Sequence, residues 1–197
     1  MSLARPLRMT ADAFIAWALD QPSGRYELAA GEVIAMAPER AGHALVKLEA
    51  ARALQDAVAA AGVPCEVFPD GMAVRIDEAT VYEPDASVRC GPRLPEDAVV
   101  FADPLVVVKV LSPSTRAQDS SAKLEAYFRL PSVRHYLIVN TGTRSVIHHA
   151  RGADGAIATR IHGESEARDR RGDDPGGELR LDPPGLVLRP ADFFARL

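Results

Sequence analysis

The sequence predicts a mixed α/β fold in which helices pack against a central sheet. Helical and β-strand patterns alternate along the 197 residues, in the order helix, hairpin, helix, several strands, helix, hairpin and strand. The composition, 47% hydrophobic and 25% charged, is that of a globular chain, and we expect a single domain over residues 1–197. No internal repeat is visible at periods of about 20 to 50 residues, which excludes a solenoid.

Two helices precede the main run of strands. The segment "MTADAFIAWALD" has apolar residues at helical spacing, with Thr10 as its N-cap and an end before Pro22. The longer helix covers residues 40–61 and ends at Gly62, a residue suited to a left-handed cap. Its predicted buried face is Leu45, Leu48, Ala51, Leu54 and Val58.

The strands are short and separated by turn residues. "RYELAAGEVIAMAP" predicts a hairpin around an Ala-Ala-Gly turn, and "CEVFP", "GMAVRI" and "VYEPDASVR" predict three strands. After a Pro-rich loop at 91–104, the run "LVVVKVL" at 105–111 predicts a buried strand. "RHYLIVN" and "RSVIHHA" form a second predicted hairpin, and "GLVLRPADFFARL" predicts a last strand and a short helix. The polar, glycine-rich residues 163–178 predict a mobile loop.

A third helix follows the strand at 105–111. We interpret Thr115 and Gln118 as its capping box, and Leu124, Tyr127 and Phe128 as its packing face. The serines and the threonine of "SPST", Ser112, Ser114 and Thr115, are therefore assigned to capping. No histidine is placed in sequence to activate one of them as a nucleophile.

Charge and cysteine content exclude several classes of protein. The net charge of −4 gives no overall electrostatic reason for nucleic-acid binding, but it does not exclude a local basic cleft. Cys65 and Cys90 are widely spaced and suggest neither a zinc site nor a disulfide, so we expect a cytoplasmic location. No apolar run reaches the roughly 18 residues of a membrane span, and no membrane partner is expected.

Two charged residues stand in strands that otherwise have a core composition. Alternation places Asp85 with Glu83 and Ser87 on one face of its strand, away from the apolar face. In the strand 105–111, Lys109 lies on the face opposite the three even-numbered valines. If the two strands are neighbours, Asp85 and Lys109 face each other across the sheet.

Several segments in order resemble the Uma-type restriction endonuclease family, a branch of the PD-(D/E)xK nuclease-like superfamily. The resemblance covers roughly residues 10 to 150 and rests on "YELAAGEVIAM", "GHALVKLEAARAL", "VYEPDASV" and "VVVKVLSPSTRAQDSSAKLEAYFRLPSVRHYLIVN". It implies a restriction-endonuclease-like mixed sheet flanked by helices and a divalent-metal-dependent DNA endonuclease. The implied cofactor is Mg²⁺ or Mn²⁺, and the implied partners are DNA and, as in many nucleases of the superfamily, a second copy of the chain.

The resemblance also implies the residues of the site. Asp85, after Pro84, corresponds to the aspartate of the motif, and Lys123 to a lysine that has moved to the helix. The N-terminal acid is either Glu27 or Glu32. Carboxylates that hold Mg²⁺ or Mn²⁺ neutralise a phosphodiester and activate water, and a lysine stabilises the developing charge. His43 lies where the family pattern also has a histidine, and we regard it as a neighbour of the site.

Lys109 departs from the family pattern, because the strand before "LSPST" typically carries a glutamate at this position. Three alternatives follow. Lys109 pairs with Asp85 and a hairpin glutamate in an inactive nuclease fold; or it acts as the strand lysine of a rearranged metal site completed by Glu27, Glu32 or Glu83; or it extends to solvent. The first alternative makes the protein a non-catalytic nucleic-acid-binding or regulatory protein.

Two adjacent histidines complete the candidates. His148 and His149 are neighbours in a predicted strand, so their side chains point to opposite faces and cannot bind one metal ion together. We therefore assign them structural or surface positions.

Overall fold

The computed structural model describes residues 8–111, 117–163 and 177–197. Its α-helices are α1 (Ala11–Leu19), α2 (Ala41–Ala61) and α3 (Ala117–Phe128), and a 3-10 helix covers Pro190–Phe194. The strands are β1 (Tyr26–Ala29), β2 (Glu32–Ala35), β3 (Cys65–Pro69), β4 (Ala73–Asp77), β5 (Thr80–Tyr82), β6 (Ala86–Cys90), β7 (Val100–Phe101), β8 (Val106–Leu111), β9 (His135–Asn140), β10 (Ser145–Arg151), β11 (Ile157–Gly163), β12 (Leu179–Leu181) and β13 (Leu186–Leu188). No helix in these ranges has the length and apolar character needed to cross a membrane.

Two sheets organise the fold. The larger has six strands in the order β11-β10-β9-β8-β6-β3, and the smaller has five in the order β2-β1-β5-β4-β7. In the larger sheet β8 and β9 run parallel, while the other pairs are antiparallel. This mixed arrangement confirms the α/β prediction, and both predicted hairpins form.

The central strands of the six-stranded sheet, β6, β8 and β9, are buried on both faces. Val106, Val108 and Val110 of β8 pack in one core cluster with α2 and the C-terminal segment. Val107 packs on the opposite face with Tyr127 of α3. Strands covered on both faces form continuous apolar runs, which explains the composition of β8. Lys109 thus interrupts a fully covered strand.

The first two helices begin and end where the sequence predicts. The Thr10 hydroxyl accepts a hydrogen bond from the Ala13 amide at 3.2 Å, and Gly62 adopts a left-handed conformation after α2. The predicted buried face of α2 is partly wrong, because Leu48 is 43% exposed. The helix is rotated so that the neighbouring Lys47 is buried, and the ion pairs of Lys47 described below account for this orientation.

The segment "VYEPDASVR" is two strands rather than one. β5 ends at Tyr82 in the smaller sheet and β6 begins at Ala86 in the larger, and residues 83–85 connect the two sheets. Asp85 and Ser87, which the alternation places away from the apolar face, are both fully buried. Asp85 therefore lies at the junction of the two sheets.

The expectation that the cysteines are unpaired is contradicted by the structure. Cys65 of β3 and Cys90 of β6 are direct partners in the antiparallel register, and a disulfide joins them. Spacing in the sequence gave no indication of this pair, because it depends on the pairing of strands separated by a long connection. The predicted helix cap at Thr115 lies outside the described residues, as do Ser112, Ser114 and most of the predicted loop at 163–178.

Candidate functional site

The centre of the site is the carboxylate of Asp85, which has no exposed surface. Its Oδ1 is 3.0 Å from the ammonium of Lys109 and 2.8 Å from that of Lys47. Its Oδ2 accepts a hydrogen bond from the Val110 amide at 2.6 Å. The predicted approach of Asp85 and Lys109 across β6 and β8 is confirmed. Lys109, with its side chain 13% exposed, does not extend to solvent as the third alternative required.

Lys47 was not predicted as a site residue. It projects from α2, is 5% exposed, and its ammonium contacts the carboxylates of Glu39, Asp70 and Asp85. Burial by itself lowers the pKa of Lys47, but the charge of Asp85 and hydrogen bonds to Asp85 and Glu39 raise it above its ordinary value. Lys47 is therefore charged at neutral pH in a nearly closed environment.

A second ion pair places Glu27 and Lys123 beside this centre. Glu27 on β1 is buried, and its Oε2 is 2.6 Å from the ammonium of Lys123 on α3. Its Oε1 accepts the Glu83 amide at 3.0 Å. The Lys123 ammonium also lies 5.2 Å from the centre of the Tyr82 ring. The hairpin glutamate Glu27 thus pairs with Lys123, whereas the first alternative paired a hairpin glutamate with Lys109.

Arg25 connects the two parts of the site. Its guanidinium binds Glu83, with Nε to Oε2 at 3.0 Å, and Asp70, with Nη1 to Oδ2 at 2.7 Å. Burial tends to raise the pKa of Asp70, but the hydrogen bond from Arg25 and the charge of Lys47 hold it below its ordinary value. For Glu83, burial prevails over Arg25 and raises the pKa. The network therefore runs from Glu83 through Arg25, Asp70 and Lys47 to Asp85.

His43 lies beside the site, as expected. Its Nε2 donates to the Val110 carbonyl at 2.8 Å, and its Nδ1 is 3.0 Å from Glu39. The Val110 amide binds Asp85, so the main chain of β8 is held on both sides at this residue. His43 therefore fixes the start of α2 against the strand that carries Lys109.

The other predicted candidates lie elsewhere. Glu32 is exposed at the far end of the β1–β2 hairpin, opposite Ala29, so of the two hairpin glutamates Glu27 is the one at the site. His148 and His149 point to opposite faces as predicted: His148 bonds to His135 at 2.9 Å, and His149 to Thr159 at 2.8 Å.

One signal in the sequence could have identified Lys47. The chain has 23 lysines and arginines, of which only three are lysines. All three, Lys47, Lys109 and Lys123, pair with buried carboxylates of the site. The cations elsewhere in the chain are arginines. Asp70 and Arg25 had no comparable signal, since their positions depend on a turn and on the approach of two sheets.

The donor set around Asp85 does not fit a divalent cation. One carboxylate oxygen contacts two ammonium groups and the other accepts a main-chain amide, so both oxygens that a divalent cation would need are already engaged by protein donors. Position 109, where the family pattern has a glutamate as the second carboxylate, is occupied by the cation of Lys109. In the part of the chain that the structure describes, no three His, Cys, Asp or Glu side chains are arranged to hold a metal ion.

Comparison with known proteins identifies the family. The chain matches the model of the Uma2 family, described as "Putative restriction endonuclease", over residues 11–172, and it belongs to this family. The resemblance predicted from sequence is therefore confirmed.

Two further proteins are similar to the chain. An uncharacterised protein of Synechocystis sp. (strain ATCC 27184 / PCC 6803 / Kazusa) is 25% identical over 149 residues, which are 75% of this chain and 77% of that protein. The crystal structure of a protein from Anabaena variabilis ATCC 29413, described as a putative nuclease belonging to DUF820, superposes with a TM-score of 0.71. The superposition covers 95% of this chain and 98% of that protein at 15% sequence identity, and so shows the restriction-endonuclease-like fold.

Proposed function

We propose that this chain is a DNA-binding member of its nuclease family that does not hydrolyse DNA by the divalent-metal route. The observation that supports the proposal is the pair of ammonium groups, from Lys47 and Lys109, on one oxygen of the buried Asp85 carboxylate. DNA as the ligand follows from the description of the family as restriction endonucleases.

The charges at the site support the loss of metal-dependent cleavage. Hydrolysis of a phosphodiester in such a site needs carboxylates free to bind a divalent cation, which neutralises the phosphate and activates water. The charge of Asp85 is already balanced by two lysines. A divalent cation about 4 Å from an ammonium group is repelled by roughly 4 kcal/mol per unit of its charge at an effective dielectric constant near 20. Mg²⁺ or Mn²⁺ therefore has to displace a lysine before it can bind.

The same groups can contribute to phosphate binding without a metal. In this proposal Lys109, which retains some exposed surface at the site, interacts directly with a DNA phosphate while Asp85 holds its ammonium in place. Glu27 and Lys123 form a neutral pair that maintains the adjoining wall of the site. No step of this role requires a bound cation.

A DNA-binding and DNA-cleavage experiment tests the proposal. Fluorescence anisotropy with a labelled duplex, with EDTA or with Mg²⁺, is expected to show binding that does not depend on the metal. Incubation with plasmid DNA and Mg²⁺ or Mn²⁺ is expected to leave the DNA intact. Lys109→Gln is expected to weaken binding, whereas Asp56→Ala, which removes an exposed carboxylate from α2, is the control.

Metal-dependent cleavage of DNA by this protein would overturn the proposal. Such activity would be established if the wild-type protein cleaves DNA with Mg²⁺ or Mn²⁺ and the Asp85→Ala variant does not. Absence of DNA binding at low salt would reject the binding part of the proposal, because phosphate contacts are strongest under that condition.

A further inference from the structure

The ammonium of Lys47 lies among three carboxylates that come from separate parts of the chain. Glu39 precedes α2, Asp70 lies in the turn between β3 and β4, and Asp85 precedes β6. The Lys47 Nζ is 2.8 Å from Asp85 Oδ1 and 3.1 Å from Asp70 Oδ2, and it also contacts Glu39 Oε1. We call this group of three acids the Lys47 carboxylate cluster.

The chemistry of lysine suits this position. An ammonium group is a compact point charge with three donors, so three carboxylates can each accept one N–H. A planar guanidinium is larger and directs its donors in a fork. A chain that uses arginine for its cations outside the site therefore has a physical reason to keep a lysine here. Oxygen atoms of carboxylates are also the ligands that Mg²⁺ and Mn²⁺ prefer.

We propose that Lys47 takes the place of a divalent cation in this cluster, and that Lys47 as well as Lys109 keeps metal away from Asp85. The inference rests on the proposed metal-free site and extends it by naming a second residue that excludes the metal. It differs from the first alternative drawn from the sequence, in which Lys109 alone makes the nuclease fold inactive.

Restoring the family glutamate at position 109 should therefore be insufficient. In Lys109→Glu the Lys47 ammonium still contacts Asp85 Oδ1, the oxygen that a metal would need. Removing Lys47 as well leaves Glu39, Asp70 and Asp85 without their shared cation. Their oxygens then need to move inward by up to about 1 Å to reach the roughly 2.0–2.1 Å typical of Mg²⁺.

The experiment compares wild type, Lys109→Glu, Lys47→Gln and the double variant by calorimetric titration with Mn²⁺ and Mg²⁺. Wild type and Lys109→Glu are expected to bind neither cation measurably. The double variant is expected to bind Mn²⁺ measurably, about tenfold or more tighter than the weakest affinity that the titration detects. Arg52→Gln, which removes a cation from the exposed side of α2, is the matched control and should gain no binding. Lys47→Arg, which keeps the charge, should also gain none.

Thermal unfolding with and without Mn²⁺ provides a second readout. Both Lys47→Gln variants lose the cation shared by three carboxylates, so we expect a lower melting temperature, which Mn²⁺ should raise in the double variant. Thermal unfolding can also be measured for a variant that is partly unfolded before heating. The Lys109→Glu titration leaves Lys47 in place and so does not depend on the folding of the Lys47 variants.

The outcomes separate the two proposals. Metal binding by wild type would overturn both. If wild type binds no metal but Lys109→Glu binds Mn²⁺ as tightly as the double variant, the role of Lys47 is rejected and the metal-free wild-type site stands. A double variant that gains neither affinity nor thermal stabilisation also rejects the role of Lys47.

Discussion

Asp85 shows how one residue can keep its place in a family pattern while its surroundings change. The carboxylate is fully buried, and burial of an unpaired charge is unfavourable by several kcal/mol or more. In this chain lysines from α2 and β8 supply the balancing charge. Their unequal environments lead to different expectations for the two lysines.

Lys109→Met is expected to destabilise the protein only moderately, by roughly 1–2 kcal/mol, because Lys47 remains on the same oxygen of Asp85. Lys47→Met should cost more, about 3–5 kcal/mol, because it removes the cation that Glu39, Asp70 and Asp85 share. Urea unfolding at pH 7 measures both. Equal losses would show that the two ammonium groups contribute equally.

Lys123→Met is expected to lower the free energy of unfolding by about 3–5 kcal/mol, because it leaves the Glu27 carboxylate buried without its cation. The double variant Glu27→Gln/Lys123→Met should recover part of this loss, since it removes both charges. Denaturant titration of the single and double variants provides the measurement. A loss below about 1 kcal/mol would mean that solvent or another cation compensates Glu27.

At the scale of the elements, the disulfide fixes the edge of the larger sheet. Cys65 and Cys90 connect β3 to β6, the strand that follows Asp85. Closing a loop of this length restricts the unfolded chain, and we expect its removal by Cys65→Ser/Cys90→Ser to cost about 3 kcal/mol. Unfolding of the variant, compared with wild type in oxidised and reduced form, measures this. Free thiols in the unreduced wild type would contradict the prediction.

Local patterns predicted much of the element order, but the junctions between elements escaped them. The two hairpins and α1 follow from turn residues, caps and periodicity, which act over a few neighbours. The division into β5 and β6 was missed because the two strands join different sheets, which is decided by tertiary pairing. The rotation of α2 was missed for a related reason: apolar periodicity favoured Leu48, whereas burial of Lys47 depends on distant carboxylates.

The candidate site was predictable where motif and strand pairing coincide. Asp85 and Lys109 meet because adjacent strands place residues of the same face opposite each other. Asp70 and Arg25 could not be inferred in this way. They reach the site through a turn and a connecting segment, whose positions are not determined by residue periodicity.

At the scale of the whole molecule, two buried histidines connect the larger sheet to the C-terminal segment. His135 on β9 bonds to His148 on β10 at 2.9 Å and to the Pro183 carbonyl at 2.9 Å. Burial lowers the pKa of both, with the neighbouring His135 adding to the effect on His148, whose pKa falls to about 3. Both are therefore neutral in the folded protein at neutral pH.

Acidification should weaken the fold through this pair. Unfolded histidines take up protons below about pH 6.5, whereas the folded ones do not, so the stability present above that pH is lost as the pH falls. Each histidine contributes a slope of up to about 1.4 kcal/mol per pH unit. Urea unfolding between pH 7.5 and 5.5 should show this decline, and His148→Gln should reduce it. A slope unchanged in His148→Gln would assign the effect to other groups.

The confinement of every lysine to the site has a practical consequence for proteolysis. A protease that cuts only after lysine has three targets in this chain, and each lies in a buried ion pair. Such a protease can cut only when the site opens, so its cleavage rate on the native protein measures the opening of the site.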